Sequence, residues 1–255
     1  MKKFFLFSLI FLTHSTMGFT LVSNPATKFS TTEITVNVSN DSCAGAGITN
    51  TVLLDLVEEA AEEYWSRVTT SSLVINKGSE VAVSINGETS IGAAALLTTA
   101  NTIIVGCSTN VTLFPSPADD NTLGVGGIAS FSDGSVRGAF LVNANGNFIN
   151  QGQAEKLATI AHELGHSLGL GHSSDPVALM YFSIGSKVQE RLTMDDKDGL
   201  TYLYPNEDAL PASCGTIAID NDKGGGGGFL MLSLIFLITL MGTKKLKTQQ
   251  LELET

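Results

Sequence analysis

From Glu33 to Val38 polar and apolar residues alternate, with Ile34, Val36 and Val38 on one side. That period predicts a strand with one buried face. The period then changes. Between Thr51 and Val68 the apolar residues Val52, Leu53, Leu56, Val57, Ala60, Ala61, Tyr64, Trp65 and Val68 recur at helical spacing. Glu58, Glu59, Glu62 and Glu63 lie opposite, which predicts an amphipathic helix with a solvated acidic face. Ser72–Asn76 and Thr102–Cys107 are short β-branched runs that suit buried strands. Gly126–Phe131 and Arg137–Asn143 read as two strands joined by the turn Ser132-Asp133-Gly134-Ser135. A second helix is predicted from about Gln153 to Leu168. A third starts at Thr193, where Thr193 and Asp196 can form a capping box, and stops before Pro205. This order of elements describes one α+β or α/β domain, and no internal repeat is visible.

The two ends of the chain do not fit that domain. Residues 1–18 begin Met-Lys-Lys, continue through the apolar run Phe4–Leu12 and end in small and polar residues. This is the layout of a secretory signal peptide, and the run is too short to span a bilayer. At the other end Gly224–Gly228 form a glycine run, Phe229–Met241 carry no charge, and Lys244, Lys245 and Lys247 follow. The layout resembles the GlyGly C-terminal sorting tails of Gram-negative bacteria, which implies trimming by a rhomboid-type sortase and release or display at the cell surface. A permanent single-pass anchor is the alternative. The expected organisation is a signal peptide over 1–18, a catalytic domain over 19–206 and a polar, glycine-rich linker over 207–228. A short membrane segment over 229–242 and a basic-led tail over 243–255 complete it.

Charge narrows the partners. Setting aside residues 1–18 and 229–255 removes five lysines and two glutamates from the 14 basic and 25 acidic residues, leaving 9 and 23 and a net charge of −14. Such a surface repels nucleic-acid phosphates and anionic lipid, so nucleic acid is not an expected partner. The three cysteines, Cys43, Cys107 and Cys214, form no CxxC pair. In an exported protein Cys43 and Cys107 could form one disulfide and leave Cys214 over, with other pairings and free thiols still open.

The stretch His162–His172 reads HELGHSLGLGH. On a helix, His162 and His166 project from one face a turn apart and can reach a single ion. Gly169 lets the chain leave the helix in a left-handed conformation, so that His172 can supply a third nitrogen. Three neutral imidazoles leave a fourth position open, the arrangement of a catalytic zinc. Glu163 is placed to take a proton from an attacking water as general base and to pass it to the leaving amine. Of the four histidines, His14 lies in the leader and the other three are all in this stretch. Histidines scattered for packing would not fall this way.

These residues resemble the metzincin superfamily, and most closely the matrixins (the matrix metalloproteinase family). Ser173, the continuation Ser174-Asp175-Pro176, the run Leu192–Leu200 and Leu203-Tyr204-Pro205 carry the closer likeness, over about Leu157 to Pro205. Astacins fit less well, because Phe182 stands where they carry a tyrosine ligand. The resemblance implies an α+β, zincin-like fold. Its parts are a twisted, mostly parallel five-stranded sheet with an antiparallel edge strand, three helices and a methionine turn. It places Met180 under the metal as an apolar floor and makes Gly126–Phe131 the edge strand that pairs with substrate, with Gly127, Ile128 and Ala129 as contacts. Ala158 becomes a wall of the primary specificity pocket. It implies one catalytic Zn2+ and a monomeric endopeptidase acting on extracellular proteins and peptides. Calcium is left open at Asp119, Asp120 and Asp133, against plain solvated turn carboxylates. No cysteine-switch segment and no histidines for a second zinc are found in the sequence. A surface binding or adhesion module that retains a metal site is the competing function. If the tail is a sorting signal, mass spectrometry of the exported protein will find a C-terminus before Phe229; a mature chain extending past Phe229 contradicts it.

Overall fold

Strand β1, Glu33–Ser39, buries Ile34, Val36 and Val38, the alternate positions that its sequence pattern selects. Helix α1 follows over Asn50–Glu63, capped by the Thr49 side chain, which accepts from Val52 N at 3.2 Å. The expected helix breaks earlier than its apolar pattern does: Trp65–Arg67 form a 3₁₀ turn. That turn aims Trp65 into the core, where Nε1 donates to Ala161 O at 3.0 Å. Val52 lies on the exposed side of α1, and Leu54 takes the buried place instead.

The computed structural model describes residues 18–115, 121–183, 189 and 191–209. The leader up to residue 17, Asp119, Asp120, Cys214, the linker beyond residue 209, the sorting segment and the tail lie outside the described residues. Among the described residues no helix is long and apolar enough to cross a membrane.

The remaining elements are β2 (Val74–Val81), α2 (Ile91–Leu96), β3 (Thr102–Ser108), β4 (Gly124–Ser130), β5 (Val136–Asn143), α3 (Gln153–Ser167) and α4 (Met194–Leu203). The strands form one sheet in the order β2-β1-β3-β5-β4. The first four run parallel, and β4 pairs antiparallel with β5 at the far edge. This is the α+β fold expected from the resemblance, with one addition: α2 makes a fourth helix. Its six-residue, alanine-rich sequence carries too little amphipathic pattern to be read in advance.

Side-chain alternation divides the core between the two faces of the sheet. Ile103, Val105, Phe140 and Val142 join the larger cluster beside α1 and α3. Ile104, Ala139 and Leu141 turn the other way onto α2 and Phe114. Central strands covered on both sides need continuous apolar sequence, which is why Thr102–Cys107 was legible as a buried strand. Ser72–Asn76 was not one. β2 begins at Val74, which is 47% exposed, and forms the open edge of the sheet. A β-branched run of that length fits a half-covered edge as well as a centre, and only neighbouring strands decide between them.

Cys43 and Cys107 are joined by a disulfide across a sequence separation of 64. It ties the segment before α1 to the end of β3. Closing a loop of that size removes about 4 kcal/mol of chain entropy from the unfolded state. Replacing both cysteines by serine should lower the unfolding free energy by about 2–4 kcal/mol. Guanidinium denaturation midpoints of the two proteins measure this, and coincident midpoints refute it.

Candidate metal centre

Helix α3 carries His162 and His166 one turn apart on its inner side, and its end is set by Gly169. That residue has φ 109°, a region an L side chain rarely adopts. The helix closes with Leu168 N and Leu170 N both donating to Gly165 O at 3.1 and 3.0 Å. The chain then turns back and brings His172 to the same point.

Three ring nitrogens meet there. His166 Nε2 lies 3.1 Å from His162 Nε2 and 3.1 Å from His172 Nε2. The opposite nitrogens of two rings are engaged by the backbone: His162 Nδ1 donates to Leu179 O and His166 Nδ1 to Leu170 O, each at 2.7 Å. A carbonyl only accepts, so Nδ1 carries the proton and each Nε2 presents a lone pair. Burial holds His162 at about 4 and His166 at about 3, and it also lowers His172, so the rings stay neutral. The lone pairs of His162 and His166 thus face each other, a repulsion that a cation held among the three rings relieves. Tetrahedral zinc with Zn–N bonds of about 2.0–2.1 Å separates its ligand nitrogens by about 3.3–3.4 Å. The donor set therefore fits zinc, and these three histidines form the one His/Cys/Asp/Glu cluster of metal-binding spacing among the described residues.

Glu163 lies beside them in the same cleft, which has a volume of about 1200 Å³. Its residue is 6% exposed. Burial pushes its carboxyl up to about 8, partly offset by a hydrogen bond from the backbone N–H of Gly126. Strand β4 makes room for it. A Cβ on Gly124 would fall 2.8 Å from Glu163 Cγ, and one on Gly126 would fall 3.0 Å from Oε2. These two glycines let the helix approach the strand so closely that the carboxyl group is sealed on that side.

A further layer holds the ligands. Asp196, at the start of α4, accepts from Leu179 N at 3.0 Å and Met180 N at 2.9 Å, and also from Thr193 N and Oγ1 at 2.8 Å. The predicted capping box is present. It has a second task that the sequence did not reveal: it fixes the peptide whose carbonyl anchors His162. Met180 is buried against Gly165 of the ligand helix.

The structure shows where the expected substrate contacts lie relative to the cleft. Ala158 is packed into the core and does not border the cleft; Glu155 and Thr159 do so from the same helix. The part of β4 that lines the cleft is Gly124–Gly126, preceded by Leu123, and Gly127, Ile128 and Ala129 continue the same edge strand beyond it. Ile128 instead packs against the main core, and Gly127 faces Ile91 of α2. The reason is where α3 crosses the strand, which a strand pattern does not encode. Asn147, Asn150 and Gln151 at one end of the cleft, and Val22, Tyr181 and Phe182 at the other, were not foreseen. The glycines at 124, 126 and 127 were the available signal, since glycine inside a strand marks a close approach. Asp133 is occupied by Ser135 and Arg137, with Arg137 Nη2 at 2.8 Å, so it serves the β4–β5 turn.

The Glu163 carboxyl has an ordinary value of 4.5 and a folded value of about 8. The stability this shift contributes is complete below pH 4.5 and is lost as pH rises through about 8. Glu163→Gln mimics the protonated form. In chelator, thermal melts of the variant and the parent should therefore diverge in favour of the variant as pH rises from about 5 to about 8. Histidine protonation is common to both proteins and cancels. A constant gap over that range contradicts the buried environment described for Glu163.

Comparison with known proteins agrees with this geometry. A sequence profile described as Matrixin matches residues 61–205. Metalloendoproteinase 2-MMP of Arabidopsis thaliana is 32% identical over 116 residues, 40% of this chain and 31% of that protein. Human matrilysin is 50% identical over 50 residues, 19% of each chain. Human neutrophil collagenase is 52% identical over 46 residues, 17% of this chain and 10% of that protein. The chain spans less than a third of the length of these three relatives. The profile covers more than half of the chain, including α3, the turn to His172 and α4, and the chain belongs to the matrixin family.

Proposed function

We propose that this protein is an exported zinc endopeptidase that hydrolyses peptide bonds of extracellular proteins. The observation that carries the proposal is the convergence of three neutral Nε2 atoms beside a buried carboxyl group in one open cleft. His162, His166 and His172 are the ligands. Zinc bound there would supply Lewis acidity toward a peptide carbonyl and toward water, and its charge would favour the ionised form of the Glu163 carboxyl. Glu163 then accepts a proton from the attacking water and delivers it to the leaving amine nitrogen. Its sealed position between Gly124 and Gly126 keeps bulk water away from the carboxylate on the strand side. Strand β4 pairs with β5 on one side only, so its other edge is available to an extended peptide beside the cleft. Met180 packs beneath the ligand helix and keeps that floor apolar.

The leader over 1–18 accounts for export, and the catalytic domain occupies 19–206. We read 207–228 as a linker, followed by a sorting segment over 229–242 and a basic-led end over 243–255 that a rhomboid-type sortase trims away. The enzyme acts as a monomer on peptide and protein substrates.

Glu163→Ala should lower casein or gelatin hydrolysis by about 10²–10⁴-fold while zinc content stays at that of the parent. Chelator should abolish parental activity and added zinc restore it. Undiminished turnover in the variant overturns the mechanism. Zinc binding without any parental hydrolysis favours the binding or adhesion module.

A further inference from the structure

The three imidazoles are not held alike. His162 and His166 are each fixed through Nδ1 to a backbone carbonyl. Among the described residues His172 has no protein partner at Nδ1, and it is exposed. Its position is set through its backbone. Residues 20–22 run beside 169–171 as a short antiparallel ladder. Val22 N donates to Gly169 O at 3.1 Å, Gly171 N donates to Thr20 O at 2.8 Å, and Leu21 pairs with Leu170. Thr20 Oγ1 then donates to the carbonyl of His172 itself, at 2.6 Å.

The sequence carries the matching mark. The spacing HExxHxxGxxH leaves position 171 free, yet this chain has glycine there. A Cβ at 171 would collide with Thr20 Oγ1 and lie 3.0 Å from the carbonyl of Leu21. Gly171 is thus demanded by the N-terminal segment that passes over it, not by the metal.

We propose that residues 20–22 are a strap that positions the third ligand, with Thr20 as its positioning residue. The hold on the metal then depends on a segment 152 residues away in sequence. The proposal rests on the reading of the three histidines as zinc ligands. A ligand whose ring is free pays for binding with the entropy of its own loop, unless the loop is ordered beforehand. The strap orders it. Partners that orient ligands in this way typically govern metal affinity by 10–100-fold.

The test is zinc competition against a fluorescent chelator, with the full exported protein and the variants Thr20→Val, Thr20→Ser and Gly171→Ala. Thr20→Val keeps the shape and loses the donor, so zinc affinity should fall about tenfold. Thr20→Ser should stay within about twofold of the parent, and Gly171→Ala should weaken zinc like Thr20→Val. Melting of the chelated proteins separates positioning from folding: Thr20→Val and Thr20→Ser should melt with the parent. Parental zinc affinity in Thr20→Val overturns the strap and leaves the zinc site standing. A Thr20→Val variant that weakens zinc only in proportion to lost metal-free stability, or that Thr20→Ser matches, also overturns it. Absence of zinc from the parent removes both readings.

Discussion

The Nε2 lone pairs of His162 and His166, held 3.1 Å apart, are an unfavourable arrangement by themselves, and much of this molecule serves to enforce it. Each ring is oriented from outside the site. Leu179 and Leu170 carbonyls fix the tautomer and angle of two rings, and a backbone ladder sets the third. Burial removes the competing solution, protonation, by penalising the imidazolium form. A dication bound among the three ring nitrogens relieves the repulsion.

The enforcement reaches outward in layers. Asp196 holds the Leu179–Met180 peptides, and α4 holds Asp196. Tyr204, at the end of α4, donates to Leu168 O at 2.8 Å and so secures the last turn of the ligand helix. Trp65 reaches from the end of α1 to Ala161 O, one residue before the first ligand. Disturbance of α1 or α4 therefore reaches the ligands through backbone groups rather than through side chains that line the cleft.

Glu163 occupies a different balance. Its environment favours the neutral acid, because the two glycines of β4 that seal it replace water with backbone. That same closeness places the Glu163 carboxyl against the cleft with backbone rather than water on its strand side. The glycine-rich sequence of β4 is weak as a strand and strong as a cradle, a local cost that the antiparallel pairing with β5 offsets.

By itself the sequence determined the elements whose signal is local. These include the alternation of β1 and the apolar run of β3. They include also the box that starts α4 and the spacing that brings His162, His166 and Gly169 into one helix end. A helical period and a left-handed exit are properties of neighbouring residues, so the convergence of the three histidines was legible without coordinates. The tertiary structure alone decided that β2 is an exposed edge, that α2 covers the second face, and that Ala158 belongs to the core. It also decided that Gly124–Gly126 border the cleft, and that Thr20 and Asp196 hydrogen-bond the backbone around the three histidines. Each of these depends on where one element crosses another. That crossing is set by packing between segments distant in sequence, and no period within either segment records it.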